Sequence, residues 1–179
     1  KREGEAVYPI ERVEPLNAEV TRMVVRAPEI ARKIRPGQFI MLRIDERGER
    51  IPLTMNECDP EAGTVTIVFQ AVGATTMRLA QLKAGDALLD FAGPLGNPTE
   101  LEGARRACVI GGGLGTAIAY PQAKWLHEHG CEVHVAARNN LAEKNGLKLD
   151  FVERVFDVPF QRSPFSPKNL GAYKQLKKI

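Results

Sequence analysis

From residue 7 to about 100 the chain sets short apolar runs between clusters of Gly, Pro, Asp and Asn. "VTRMVVRAP" (20–28) alternates apolar and polar positions and ends at Pro28, which has no N–H to donate to a ladder. "GQFIMLRID" (37–45) follows the turn signal Arg35-Pro36-Gly37, and "GTVTIVFQ" (63–70), rich in β-branched residues, follows the turn "CDPEAG". "DALLDFAGP" (86–94) comes after "KAGD". One segment departs from the two-residue period. In "ATTMRLAQLKAG" (74–85), Met77, Leu79, Ala80 and Leu82 have helical spacing, and the segment predicts a short helix ending at Gly85. Strands at this spacing with a single intervening helix predict a closed or nearly closed antiparallel barrel of about six strands.

The period changes at residue 104. "RRACVI" is a short apolar strand, "GGGLGT" (111–116) a glycine loop, "AIAYPQAKWLHEHG" a helix closed by Gly130, and "CEVHVAA" a second apolar strand. Strand, glycine turn, helix and strand within about thirty residues make a βαβ unit with a parallel sheet. The polar Gly/Pro stretch 96–104 marks the boundary. The expected organisation is a barrel domain over 1–100 and a partial α/β nucleotide-binding domain over 104–179. After Arg138 the pattern weakens. "NNLAEKNGLKLD" is polar, "FVERVF" reads as helix or strand, "PFQRSPFSPKNLG" is a proline-broken loop, and "AYKQLKKI" a basic terminal turn. At about thirty residues per βα unit, the remaining length is expected to leave the second domain incomplete, with an atypical tail from about 139. The chain starts at Lys1 without Met, so leading residues are expected to be missing.

Composition narrows the class. The 179 residues are 44% hydrophobic, enough for a real core, and the formal net charge is only +3. Acids and bases mix along most of the chain, which argues against a nucleic-acid partner. There is no apolar run near 18 residues, so no membrane span is expected, and "KREGEAVYPIERVEP" lacks the apolar core of a signal peptide. The three cysteines, Cys58, Cys108 and Cys131, are widely spaced, with no C-x-x-C. They are expected to be reduced, mostly buried thiols of a cytoplasmic protein rather than metal ligands.

Three stretches carry candidate chemistry. Gly111, Gly112, Gly113 and Gly115, with Leu114 and Thr116, lie between a strand and a helix, where bare backbone amides at a positive helix end can take a pyrophosphate. The dinucleotide fingerprint is imperfect, because Thr116 stands at the third glycine position and Arg138 stands where an acid would take a ribose hydroxyl. A tight structural turn is the other reading. In "ERIPLT" (49–54), Arg50 is either a solvated turn arginine or a guanidinium fork for a phosphate. Pro52 would then fix the chain so that backbone groups of Leu53 and Thr54 face a flat ring. In "AVGATTMRL", Gly73, Thr75 and Thr76 open a helix, either as an ordinary cap or as donors to another phosphate oxygen.

The order of these pieces resembles the ferredoxin–NADP reductase superfamily. "GQFIMLRIDERGERIPLT", "GTVTIVFQAVGATT", "DFAGPLGNPTE" and "CVIGGGLGTAIAYPQAKWL" are similar to the branch holding dihydroorotate dehydrogenase electron-transfer subunits and the small FAD-binding subunit of NADH-dependent ferredoxin:NADP oxidoreductase, also called the sulfide dehydrogenase small subunit. The likeness covers about residues 7 to 138 and implies a Greek-key-like, FAD-binding barrel followed by a nucleotide-binding α/β domain. Carried over by position, Arg50, Pro52, Leu53 and Thr54 match the flavin motif, and Val68, Phe69 and Gln70 match the strand whose backbone lines it. Gly73, Thr75 and Thr76 match the pyrophosphate-binding helix start. Gly112, Gly113, Leu114, Gly115 and Thr116 match the loop that receives NAD(P)H. No catalytic or metal-ligating side chain is implied.

The implied activity is electron transfer between NAD(P)H, FAD and an iron–sulfur partner such as ferredoxin, within a heteromer that has a larger catalytic subunit. A non-catalytic remnant that binds FAD or only packs on a partner is the alternative. Two departures stand out. Ala117 is followed by Ile118 where the family has Pro, and the cysteine cluster that holds a [2Fe–2S] centre in full-length relatives has no counterpart. The tail is expected to be truncated, frame-shifted or diverged.

Overall fold

Alternation along the first half becomes a seven-stranded antiparallel sheet in the order β6-β1-β2-β5-β4-β3-β7. The computed structural model describes residues 8–137 and the strand 154–157. The barrel strands are β1 (Tyr8–Pro15), β2 (Val20–Arg26), β3 (Phe39–Arg43), β4 (Ile51–Asp59), β5 (Thr64–Gln70), β6 (Ala87–Leu88) and β7 (Asp90–Leu95). β3, β4 and β5 follow one another as neighbours, whereas β2 lies beside β5, which gives Greek-key connectivity.

The two edge strands are consecutive in sequence, separated by Leu89 alone, so the chain steps from one edge of the sheet to the other and nearly closes it. The N–H of Leu89 makes that step against the carbonyls of Arg43 (3.0 Å) and Ile44 (3.2 Å). Tyr8 on β1 and Phe91 on β7 meet across the closure with ring centroids 5.7 Å apart. The single strand expected over "DALLDFAGP" is therefore two, divided where the sheet closes.

The strand β2 ends at Arg26, and Pro28 opens the short helix α1 (Pro28–Ala31), where its missing N–H costs nothing. α1 turns Ile30 and Ala31 into the barrel end. The second helix, α2 (Ala74–Leu79), stops well before Gly85. Beyond Ala80 the N–H groups of Gln81 and Leu82 bond three residues back, to Arg78 and Leu79, and Gly85 instead gives its N–H to Ile10 of β1 (2.9 Å). Attachment to the barrel thus ends the helix that spacing alone extends.

After 96–105, which contains no helix or strand, a separate three-stranded parallel sheet begins, in the order β10-β9-β8. Its elements are β8 (Arg106–Ile110), α3 (Gly115–Glu128), β9 (Glu132–Ala137) and β10 (Arg154–Asp157). "FVERVF" thus contributes a strand parallel to β9. α3 buries Ala123 and Leu126 against Cys131, Val133 and Val135. Burying a leucine of this kind contributes roughly 1.5–3 kcal/mol. Of the cysteines only Cys131 is fully buried; Cys58 is half-buried and Cys108 exposed, because Cys108 lies on the face of β8 away from α3. Arg138 and the expectations for the tail, 138–153 and 158–179, lie outside the described residues, as do residues 1–7. Among the described residues no helix is long and apolar enough to cross a membrane.

Candidate functional site

Period-two alternation sorts the residues of "RIPLT" into two groups. Ile51 and Leu53 pack on the barrel core with Ile40 and Leu42, their ladder partners being Ile51↔Leu42 and Leu53↔Ile40. Arg50, Pro52 and Thr54 take the opposite face, alongside Met41 and Phe39 of β3 and Asp90 and Ala92 of β7. Arg50, Met41, Asp90 and Ala92 line one pocket of about 330 Å³. Leu53 can therefore reach this side only through its backbone.

At the centre of that face Asp90 Oδ2 accepts from Arg50 Nη2 (2.7 Å) and also meets Arg43 Nε (2.8 Å). Arg50 is 59% exposed. The solvated-turn reading and the phosphate reading both meet a fact that sequence did not supply: the guanidinium is already braced by a carboxylate forty positions on. A guanidinium carries five donors, so bracing by one nitrogen leaves the fork able to take an anion.

Sheet register decides what stands beside this face. β4 pairs with β5 only from Met55↔Ile67 to Asp59↔Thr64, with a bulge at Asn56. Beyond Met55, residues 51–54 ladder with β3, while 68–70 ladder with β2 through Arg22↔Val68, Thr21↔Phe69 and Val20↔Gln70. The ladder between the two strands ends there. One edge of Leu53 and Thr54 and one edge of Val68, Phe69 and Gln70 therefore flank an opening in the sheet. The side chains of this stretch of β5 are occupied elsewhere: Phe69 is in the barrel core, Val68 is buried in a cluster with Val20 and Ala117, and Gln70 Nε2 donates to Glu19 (2.6 Å).

Just past this opening, Gly73 caps α2 in extended conformation with nothing within 4 Å of where a Cβ would stand. The Thr76 hydroxyl accepts from the N–H groups of Val72 (3.1 Å) and Gly73 (3.0 Å) and lies 3.1 Å from the Gly73 carbonyl. That hydroxyl works as a local cap. Thr75 is half-buried, and Val72 and Met77 beside it are 75% and 55% exposed.

Within the glycine loop the glycines differ. A Cβ on Gly111 would stand 2.6 Å from the Thr116 Cα, so the helix backbone can approach the strand end only over glycine. Gly113 has φ +58, and a side chain there would be strained. Gly112 and Gly115 have nothing within 4 Å of a Cβ position; their bare backbone faces open space. Thr116 is buried, and its Oγ1 has no hydrogen-bond partner and points at Gly111 beneath the loop. Thr116 does not cap α3, whose N-cap is Leu114. A buried, unsatisfied hydroxyl under a glycine loop at the N-terminus of a fourteen-residue helix suits a loop that accepts an anion.

Loop and barrel touch directly. Leu114, Ala117 and Tyr120 pack with Leu16, Val20 and Val68. Asn56 Nδ2 donates to the Ala117 carbonyl (2.7 Å) in a buried setting, and Lys124 forms an ion pair with Glu57. The hydrogen bond it donates to Glu57 holds the Lys124 ammonium above its ordinary pKa. Burial raises the half-buried Cys58 above the ordinary thiol range. Sequence reasoning passed over Asn56 and Asp90. Pro121 inside α3 was a signal for the need, because proline withholds the N–H that the carbonyl of Ala117 would otherwise receive, but not for the residue that meets it.

No family model matches the chain. A protein of Clostridium beijerinckii known as an uncharacterized protein in the adh 3' region is 46% identical over 136 residues, covering 72% of this chain and 46% of that protein. The dihydroorotate dehydrogenase B (NAD(+)) electron transfer subunit homolog of Thermotoga maritima is 46% identical over 106 residues, covering 59% of this chain and 38% of that one. Among solved structures, the NADH-dependent reduced ferredoxin-NADP oxidoreductase matches with a TM-score of 0.82 at 34% identity, over 98% of this chain and 65% of that one. Phthalate dioxygenase reductase shares the fold, with a TM-score of 0.67 at 13% identity. The chain spans less than half the length of these two curated relatives. It is homologous to dihydroorotate dehydrogenase B electron-transfer subunits, and its barrel has the ferredoxin–NADP reductase-like fold.

Proposed function

We propose that this chain is the flavin-holding part of an electron-transfer subunit, organised as a barrel unit over 1–100 and a nucleotide-receiving unit from 104. The observation that carries the reading is the parting of β4 from β5 beyond Met55↔Ile67, flanked by the two stretches that the family uses for flavin. The nearby glycine loop, with open backbone at Gly112 and Gly115 and a buried unsatisfied Thr116 hydroxyl, suits a nicotinamide nucleotide. A flavin held there would supply hydride acceptance from reduced nicotinamide and onward transfer of single electrons.

The chain's own residues bind and orient. Backbone edges of Leu53, Thr54, Val68, Phe69 and Gln70 would border the ring system, and Pro52 fixes the backbone that presents Thr54. Arg50, braced by Asp90, supplies a fixed positive fork for a phosphate, and the cap around Gly73, Thr75 and Thr76 leaves room for another phosphate oxygen. Gly112 to Thr116 would take the second nucleotide. The expected partners are a larger catalytic subunit and an iron–sulfur protein or subunit such as ferredoxin, as the names of the relatives suggest.

Adding FAD to the purified chain and titrating with NADH and then NADPH in the absence of oxygen tests the reading. A yellow protein bleached by either nucleotide is the expected result. A yellow protein that neither reduces limits the function to holding flavin, and a colourless chain that stays apo in excess FAD overturns the proposal.

A further inference from the structure

We propose that Asn56 is a positioning residue: it couples the glycine loop to the opening in the barrel and so sets the geometry between the two nucleotide sites. The inference rests on the flavin and nucleotide readings of those sites. Asn56 sits at the bulge where β4 leaves β5, one residue from Met55, the last paired position beside the opening. It is 3% exposed. Its amide donates to the carbonyl of Ala117, the residue after Thr116 in the loop-bearing helix (2.7 Å).

The pairing has a specific cause. Ala117 is four residues before Pro121, and Pro121 has no N–H to complete the helical bond. The carbonyl is buried and needs a donor, and the barrel supplies it. On the other strand bordering the opening, Val68 is buried in one small apolar cluster with the same Ala117. Both walls of the opening thus meet the same turn of the helix, and the Glu57–Lys124 ion pair braces the helix two turns beyond Ala117. A pair of reacting groups loses rate steeply when their spacing drifts, and this three-part contact is the route by which the barrel holds the loop in place.

The test uses the full chain with FAD bound and the variants Asn56→Leu, Pro121→Ala and their combination. Asn56→Leu keeps the volume and removes the donor. Its FAD dissociation constant is expected to stay within twofold, while the limiting rate of flavin bleaching at saturating nicotinamide nucleotide falls at least tenfold and amide exchange at 112–117 speeds up at least tenfold. Pro121→Ala, which favours folding, gives the Ala117 carbonyl a rival donor within the helix, and about a threefold loss of limiting rate is expected.

In the double variant the carbonyl is satisfied within the helix, so the melting temperature recovers while the slow limiting rate persists. Recovery of the rate together with stability would show that Asn56 only satisfies a carbonyl, and would overturn the proposal. So would an unchanged rate and exchange in Asn56→Leu, or in Pro121→Ala should Asn56→Leu fail to fold. If the parent chain binds FAD but no nucleotide bleaches it, the functional reading fails in its nicotinamide half. The coupling is then decided by amide exchange at 112–117 alone.

Discussion

Seventeen buried apolar residues form one cluster in the barrel, drawn from all seven strands and both short helices, whereas the parallel sheet and α3 gather five. The barrel nearly closes on itself: its edge strands are joined through Leu89, and Tyr8 meets Phe91 across the seam. The βαβ unit instead borrows support from outside, through Asn56, Val68 and the Glu57–Lys124 pair on the barrel. A nearly closed sheet leaves only short edges to satisfy and can carry an opening between two strands without losing its core. Among the described residues the parallel sheet has one covering helix and a small core, so the contacts that hold its glycine loop include those from the barrel.

The largest expected effect breaks this contrast at its strong end. Phe91→Ala should cost the barrel about 3–5 kcal/mol and abolish FAD binding with the fold, as read by urea unfolding and flavin titration. Leu126→Ala, in the smaller cluster, should cost roughly 2 kcal/mol and leave FAD affinity unchanged; loss of FAD binding there would mean that the two units fold as one. Within the loop, Gly111→Ala drives a methyl group toward the Thr116 backbone and should cost about 1–3 kcal/mol, whereas Gly112→Ala should change stability by less than about 0.5 kcal/mol. If Gly112→Ala nonetheless weakens nicotinamide binding, the open backbone is the binding surface; equal melting temperatures for the two variants would refute the close approach at Gly111.

Arg50→Ala should weaken FAD binding by roughly 1.5–3 kcal/mol, the scale of a charge-assisted hydrogen bond. Barrel stability should change by less than about 1 kcal/mol, because the pair with Asp90 is half open to water. Unchanged FAD affinity would leave Arg50 as a brace for Asp90 alone.

The smallest effect concerns pH in the βαβ unit. Hydrogen bonds from His134 first and Arg106 second hold Glu132 below the ordinary glutamate range. A carboxyl group with a depressed folded pKa contributes stability that is present above its unfolded pKa and lost as pH falls through the folded value. The melting temperature of this unit should therefore fall slightly as pH drops below the ordinary glutamate range. Glu132→Gln should flatten that slope, and an unaltered slope would assign it to other carboxylates.

Much of the barrel was legible because its signals are local. Alternation, the turn residues and Pro28 each act within a few residues, and the strands they mark stand where the pattern puts them. The βαβ unit was equally plain, since a glycine loop between an apolar strand and a helix has few other solutions. The end of α2 and the division of "DALLDFAGP" were not legible, because Gly85 bonds to Ile10 and Leu89 to Arg43, partners defined only after the sheet closes. At the candidate site, residue types such as Arg50, Pro52 and the loop glycines could be read from the chain. The tie at Asn56 could not, since an asparagine in a strand says nothing of a carbonyl sixty-one positions away.

By itself the sequence determined the strands around Val20–Arg26, Phe39–Arg43 and Thr64–Gln70 and those on either side of the glycine loop, where that loop lies, and that Pro121 leaves a helical carbonyl in want of a donor. Those follow from side-chain period, backbone freedom and a missing N–H, all properties of neighbours along the chain. Only the tertiary structure decided that β4 and β5 part beyond Met55, that Asp90 braces Arg50, and that Asn56 serves the Ala117 carbonyl. Register and burial are properties of elements packed together, and they exist only once the barrel has closed and α3 has come to rest against it.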